Sequence, residues 1–274
     1  MWPKAITEWQ EGRTGYLSVP FTWLLPEAQA RISQTDMFID RWIVGGPAVK
    51  LMPDYLTGCD IQDHYPGILQ KINRNATRTT LGCPNKCPFC GVRKIEGEFL
   101  EIEDFPPGNI LCDNNILAAS TPHLNKVAAM LQQFDSCDFN QGVDARLITP
   151  TIAKWFTTLP KPIIRLACDD DSEKEPWADA LATLLHAGVP KSRIRSYVLV
   201  AFNAKPEQDW SRCEFVESFG IKALPMWFHP LNALQRNTVT PIQYQLGWTD
   251  QKRKQLMRWY YKHSGTKPTT QKDN

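Results

Sequence analysis

No apolar run in the chain reaches membrane-spanning length, which argues against an integral membrane protein. The opening stretch "MWPKAITEWQEGRTGY" holds neither an apolar h-region nor a small-residue cleavage pattern, so no secretory signal is expected there. An excess of one charge is missing too: 31 basic residues stand against 29 acidic ones. The resulting net charge of +2 does not imply a nucleic-acid partner. No internal repeat of fixed period is present, which excludes a solenoid or propeller. What remains is a cytoplasmic chain of 274 residues, 42% hydrophobic, long enough for one large domain or one and a half around a substantial core.

Eight cysteines are present, at positions 59, 83, 87, 90, 112, 137, 168 and 213. Without a secretory signal, a reducing compartment is expected and a disulfide framework is not. Three of them cluster in "TLGCPNKCPFC" as C-x3-C-x2-C, and closely spaced thiols in a reducing compartment point to metal. A structural zinc takes four ligands and usually shows two C-x2-C pairs. Three thiolates on one loop instead suit three irons of a cubane, leaving the fourth without a protein ligand and open to chemistry. Pro84 and Pro88 stiffen the loop, while Gly82 and Gly91 permit tight bends at its ends.

Downstream, β-rich runs alternate with amphipathic stretches. "ATRTTLGC", "GNILCDNN", "CDFNQGVDARLI", "PIIRLACDD", "RIRSYVLVAF" and "IKALPMWF" read as six strands. Between them "HLNKVAAMLQQF", "TPTIAKWFTTL", "KEPWADALATLLHAG" and "EQDWSRCEFVESFG" read as helices. Thr149 is the expected cap of the second and Gly188 the stop of the third. That alternation predicts an α/β fold, either a parallel α/β barrel or an open doubly wound sheet, with ligands at the C-terminal strand ends. Residues 1–75 read as a small incomplete α/β lobe, 76–235 as the strand–helix domain, and 236–274 as a C-terminal helix with a polar tail, "SGTKPTTQKDN", expected to be disordered.

The stretches "TLGCPNKCPFCGVRKIEG", "ILCDNNILA" and "DFNQGVDARL" resemble the radical S-adenosylmethionine (radical SAM) superfamily. The likeness is to bacterial and phage members with a lobe related to cobalamin-binding domains. It spans about Arg78 to Pro230. The resemblance implies a partial (β/α)6 barrel in which Cys83, Cys87 and Cys90 hold a [4Fe–4S] cluster. S-adenosyl-L-methionine would chelate the open iron and be cleaved reductively to a 5′-deoxyadenosyl radical that abstracts hydrogen from substrate. A flavodoxin or ferredoxin-type donor would supply the electron. Phe89 matches an aromatic position beside the adenine, with plain loop packing as the alternative. Asp113, Asn114 and Asn115 fall where the family contacts the methionine amino group, although the usual Gly-Gly-Glu is absent. Gln141, Asp144 and Arg146 follow the third strand; Arg146 would fork onto the methionine carboxylate or form a structural ion pair with Asp144. Asp169, the first of three consecutive acids, is a ribose acceptor or part of a solvated helix start.

Other features carry less. "VGGPAV" lacks G-x-G-x-x-G and reads as a tight turn. With no Asp-x-His-x-x-Gly, and His64 the first histidine, cobalamin ligation is not expected of the lobe, which reads as vestigial or adapted to substrate or partner. Cys213 reads as a core thiol; Cys112 and Cys168 read as core thiols or, near C-terminal strand ends, as hydrogen donors to a substrate radical, and His229 as structural or a substrate contact. Arg74, Arg78, Lys86, Arg93 and Lys94 surround the cysteine loop and would attract an acidic donor or nucleic acid, with scattered surface charge as the alternative. Leu256, Met257, Tyr260 and Tyr261 make "KRKQLMRWYYKH" a packed terminal helix before an RNA-contacting one. The rival class is a non-catalytic zinc or iron–sulfur nucleic-acid-binding protein, which predicts a fourth ligand near the three thiols. Within the enzyme class the substrate stays open among small molecule, peptide and RNA.

Overall fold

The computed structural model describes residues 5–34, 36–62, 65 and 67–262. His64 and the tail read as disordered lie outside the described residues.

A four-stranded sheet opens the chain. β1 (Thr7–Glu11) and β2 (Thr14–Ser18) form an antiparallel hairpin, and β3 (Arg41–Gly45) and β4 (Asp60–Ile61) extend it in parallel. Alternation along β2 buries Leu17 against α1 (Leu25–Ile32) and α2 (Pro47–Leu51), with Leu25, Ala28, Val44 and Val49 completing the core. On the other face Tyr16 stacks with Trp9 at 5.1 Å. The glycine pair expected as a tight turn ends β3. A Cβ on Gly45 would lie 2.3 Å from the Gln62 carbonyl oxygen, and one on Gly46, whose φ is +104°, would lie 2.8 Å from the Val19 carbonyl. Gly46→Ala meets both the steric and the left-handed cost, and should lower the unfolding free energy by about 2 kcal/mol in urea titrations.

After α3 (Ile68–Ile72) come β5 (Ala76–Thr77), β6 (Thr80–Leu81), α4 (Val92–Glu96), β7 (Leu100–Glu101) and β8 (Ile110–Leu111). Three strand–helix units follow: α5 (Thr121–Leu131) and β9 (Asp138–Phe139), α6 (Pro150–Thr158) and β10 (Ile164–Ala167), α7 (Lys174–His186) and β11 (Ile194–Val200). The series ends with α8 (Pro206–Ser218), β12 (Lys222–Trp227), α9 (Pro241–Gln245) and α10 (Asp250–Lys262). β5, β8 and β9 form one parallel sheet, and β10, β11 and β12 another. Parallel bridges Asp138–Ile163 and Val143–Leu166 join the two edge to edge. The six strands therefore stand in chain order, with the intervening helices as crossovers. Among the described residues β5 and β12 do not pair, so no closed barrel forms.

Local chemistry fixes these elements as expected. The Thr149 hydroxyl accepts the Ile152 N–H at 3.2 Å with Pro150 in the first turn of α6, and Ser120 caps α5. Gly188, at φ +101°, ends α7. Trp177, fully buried from α7, gives its indole N–H to the Ser196 hydroxyl at 3.0 Å, which in turn reaches the Leu166 carbonyl. Trp248, Leu256 and Tyr260 enter the same core, so α10 is a packed helix as its spacing predicts.

One expected strand is corrected. "ATRTTLGC" does not run as a single strand: only Ala76–Thr77 joins the parallel sheet, and Thr80–Leu81 departs to pair antiparallel with β7. The cause is Asp113. Its Oδ1 accepts the backbone N–H groups of Thr79 and Thr80 at 2.7 and 2.5 Å, and both hydroxyls, so it draws the chain off the sheet. "GNILCDNN" and "CDFNQGVDARLI" likewise contribute two ladder residues each.

Candidate functional site

The kink after β5 projects the cysteine loop, residues 82–91, over the C-terminal strand ends. Cys83 and Cys87 are half-buried, Cys90 is exposed, and all three are free thiols. Four contacts pin the loop. Ahead of Cys83, the Gly82 N–H donates to Glu96 Oε2 at 2.9 Å. Cys83 Sγ lies 3.6 Å from Asn115 Nδ2, beyond the end of β8. Between Cys83 and Cys87, Asn85 Nδ2 donates to Asp144 Oδ2 at 2.8 Å, past the end of β9. Between Cys87 and Cys90, Phe89 meets Phe202 at 5.4 Å, past the end of β11. Each inter-cysteine segment is thus tied to a different strand.

Glu96 is the hub on the first side. Its carboxylate is 9% exposed, accepts the Asn114 amide at 2.7 Å, and pairs with Arg78 at 2.8 Å. The residues expected at the methionine amino group are therefore partly committed: Asn114 to Glu96, and Asp113 Oδ1 to the Thr79–Thr80 turn. Asp113 Oδ2 and Asn115 Oδ1 are buried without a hydrogen-bond partner. Burial raises the Asp113 carboxyl above its usual range, against four hydrogen bonds that lower it.

For Arg146 the ion-pair alternative is the one realised. Its Nε and Nη2 fork onto Asp144 at 2.8 and 2.7 Å. Burial opposes ionisation of Asp144, but Arg146 and Asn85 outweigh it and hold the carboxyl below its usual range. Gln141 is exposed on the turn that Gly142 makes at φ +93°. Asp169 is half-buried, and Oδ1 accepts the Leu199 N–H at 3.1 Å. Burial, reinforced by Glu173, pushes its carboxyl up to about 7. Asp170 and Asp171 form the solvated helix start: Asp170 caps Ser172, and Asp171 pairs with Lys174.

Behind the strand ends lies a polar stitch that sequence patterning did not reveal. Arg212, from α8, donates to the carbonyls of Asp169 and Leu199 at 3.1 and 2.8 Å and faces Asp209 at 3.2 Å. Gln243, from α9, donates to the carbonyls of Ala201 and Phe228. Asn85 and Glu96 were also missed, although an acid alone in "VRKIEG" after the thiols was the available signal for Glu96.

Cys112 and Cys168 are buried, and desolvation pushes both thiols up to about 12, so they stay neutral at pH 7. Cys213 is buried and its thiol raised by the same cause. His229 Nε2 accepts the Asn237 N–H at 3.0 Å while its ring lies 4.8 Å from Trp23, joining the first lobe to the second. Of the basic residues, Arg78 pairs with Glu96 and Arg93 with Glu98; Arg74, Lys86 and Lys94 are exposed.

The donor set fits an iron–sulfur group in kind: three unpaired thiols on one loop, none in a disulfide. Burial raises the Cys87 thiol, and the neighbouring Cys90 and Cys83 raise it further while Arg146 opposes them. Metal capture would therefore release protons, and the cationic Arg146 would favour the thiolate. Among the described residues no three His, Cys, Asp or Glu side chains form a closed metal-holding group, so the thiols share a locus without a finished cage. No protein-family model matches this chain, and no curated protein matches it.

Proposed function

We propose that this chain is a radical S-adenosylmethionine enzyme, with residues 76–235 as a partial (β/α)6 barrel, 1–75 as an accessory lobe and 236–274 as a C-terminal helical segment. The observation that carries the reading is the C-x3-C-x2-C loop pinned over the C-terminal ends of parallel strands that follow one another in chain order. Cys83, Cys87 and Cys90 would hold a [4Fe–4S] cluster. When bound, such a cluster would pass an electron to S-adenosyl-L-methionine and release a 5′-deoxyadenosyl radical for hydrogen abstraction.

The chain's own residues would bind, orient and shield. Asp113 Oδ2 and Asn115 Oδ1, both buried and unpartnered, with the Asn115 amide beside Cys83, supply acceptors for a cationic group. Asp144 and Asn85 hold the middle of the loop, and Arg146 keeps positive charge near Cys87. The exposed face of Cys90 and the exposed Lys86 and Lys94 suit an acidic flavodoxin or ferredoxin-type donor. A reducing cytoplasmic compartment suits the free thiols. The substrate is a small molecule, peptide or RNA.

Anaerobic reconstitution with iron and sulfide should give broad cluster absorbance, and the reduced protein with S-adenosyl-L-methionine should release 5′-deoxyadenosine. Alanine at Cys83, Cys87 or Cys90 should abolish both signals. Uptake of zinc but no iron, or a cluster that never cleaves the cofactor under low-potential reductants, overturns the reading.

A further inference from the structure

The turn after β11 is built at a cost that the sheet itself does not require. Ala201 and Asn203 both take left-handed backbone, at φ +65° and +51°, a conformation that disfavours any side chain with a Cβ. Two buried polar side chains clamp the first of them. Asp209 Oδ2 accepts the Ala201 N–H at 2.6 Å, and Gln243 Nε2 donates to the Ala201 carbonyl at 3.0 Å. Gln243 also holds the Phe228 carbonyl at 3.1 Å, which fixes the end of β12 beside the same turn. Asp209 is 0% exposed and Gln243 2%, so both hydrogen-bonding groups are withdrawn from water to serve this segment. Between the two left-handed residues stands Phe202, half-buried, with Phe228 at 4.8 Å on one side and Phe89 of the thiol loop at 5.4 Å on the other. Phe89 separates Cys87 from Cys90, and its ring contact with Phe202 ties this half of the loop to the end of β11, while Leu231 packs beside Gly91 at the loop's end.

We propose that Ala201 is a positioning residue: clamped by Asp209 and Gln243, it aims Phe202 at Phe89 and so holds the Cys87–Cys90 half of the thiol loop in place. Cys83 has a different support, Asn115 and the Glu96 hub. The inference rests on the thiol loop being the metal-holding element.

Iodoacetamide labelling of the full-length, iron-free protein, followed at each cysteine by peptide mass spectrometry, tests it without any cofactor. Ala201→Gly keeps both backbone hydrogen bonds and the left-handed turn, so it should label at wild-type rates, whereas Gln243→Ala removes the donor that holds the Ala201 and Phe228 carbonyls. In Gln243→Ala, labelling of Cys87 and Cys90 should accelerate about fivefold, the equilibrium equivalent of losing one aromatic pair, while Cys83 is unchanged. Phe202→Leu should reproduce that pattern with the turn intact. Wild-type rates at Cys87 and Cys90 in both Gln243→Ala and Phe202→Leu overturn the proposal, as does an equal rise at all three thiols together with a lowered urea midpoint. Absence of iron uptake by the wild type would sink the enzymatic reading alone, because the labelling result does not depend on it.

Discussion

Arg212→Ala is expected to cost the fold about 3–5 kcal/mol, because it strands a buried carboxylate and leaves two strand-end carbonyls without their donor. The guanidinium is 4% exposed and serves three elements at once. It holds the Asp169 and Leu199 carbonyls at 3.1 and 2.8 Å, meets Asp171 at 3.2 Å, and compensates Asp209, which is fully buried. Even with that partner present, burial pushes Asp209 up to about 6. Without Arg212 the carboxyl would rise further and escape part of the penalty by taking up a proton. The loss should therefore be larger at pH 8 than at pH 5. Urea titrations at both values measure it, and the added change Asp209→Asn should recover part of the loss because it removes the charge while keeping an acceptor for the Ala201 N–H. Arg212→Lys should not rescue, since an ammonium cannot span the same fork of acceptors. A loss under about 1 kcal/mol at pH 8 would show that the stitch is not a stabilising element.

Asp169→Asn is expected to stabilise the iron-free protein by roughly 2–4 kcal/mol above pH 7, with almost no effect at pH 4. The carboxyl titrates near its ordinary range in the unfolded chain but is pushed up to about 7 in the fold, first by burial and then by Glu173, with Arg212 and Arg146 opposing. Below about pH 4 both states carry the proton and the group contributes nothing. Between there and pH 7 the unfolded chain ionises while the folded one does not, so wild-type stability falls as pH rises. Above pH 7 both are ionised and the deficit is complete. The amide keeps an oxygen for the Leu199 N–H, so the comparison isolates the charge. Paired urea midpoints from pH 4 to 8 should diverge across this window; curves that stay parallel would mean that the buried acid costs the fold nothing.

Much of this architecture is legible in the sequence. Local rules sufficed for the helices: Thr149 before Pro150, Ser120 before α5, and Gly188 after α7 each act within a few residues of themselves. The alternation of apolar runs and amphipathic stretches called for parallel strands but left their order open between a barrel and a doubly wound sheet. The kink between β5 and β6 was not legible, because its cause is a carboxylate 34 residues downstream in sequence. The site divides in the same way. Thiol spacing is written along one loop, and the Asp144–Arg146 pair is local enough that one of two readings had it. Asn85 meeting Asp144, Glu96 meeting Asn114, and Gln243 meeting Ala201 join residues that only the finished sheet brings together, the first pair lying 59 positions apart and the last 42. Polar contacts of that range have no period to read.

The chain-order sheet also bears on how the molecule is made. Each parallel strand pairs only with its neighbours in sequence, so a nascent chain can add β5, β8, β9, β10, β11 and β12 in the order of synthesis, with short loop closures throughout. The core, however, takes Trp248, Leu256 and Tyr260 from α10 and the segment just before it. All six strands therefore leave the ribosome before the apolar surface beside β12 is covered, and for that interval this end of the growing chain is open to wrong partners.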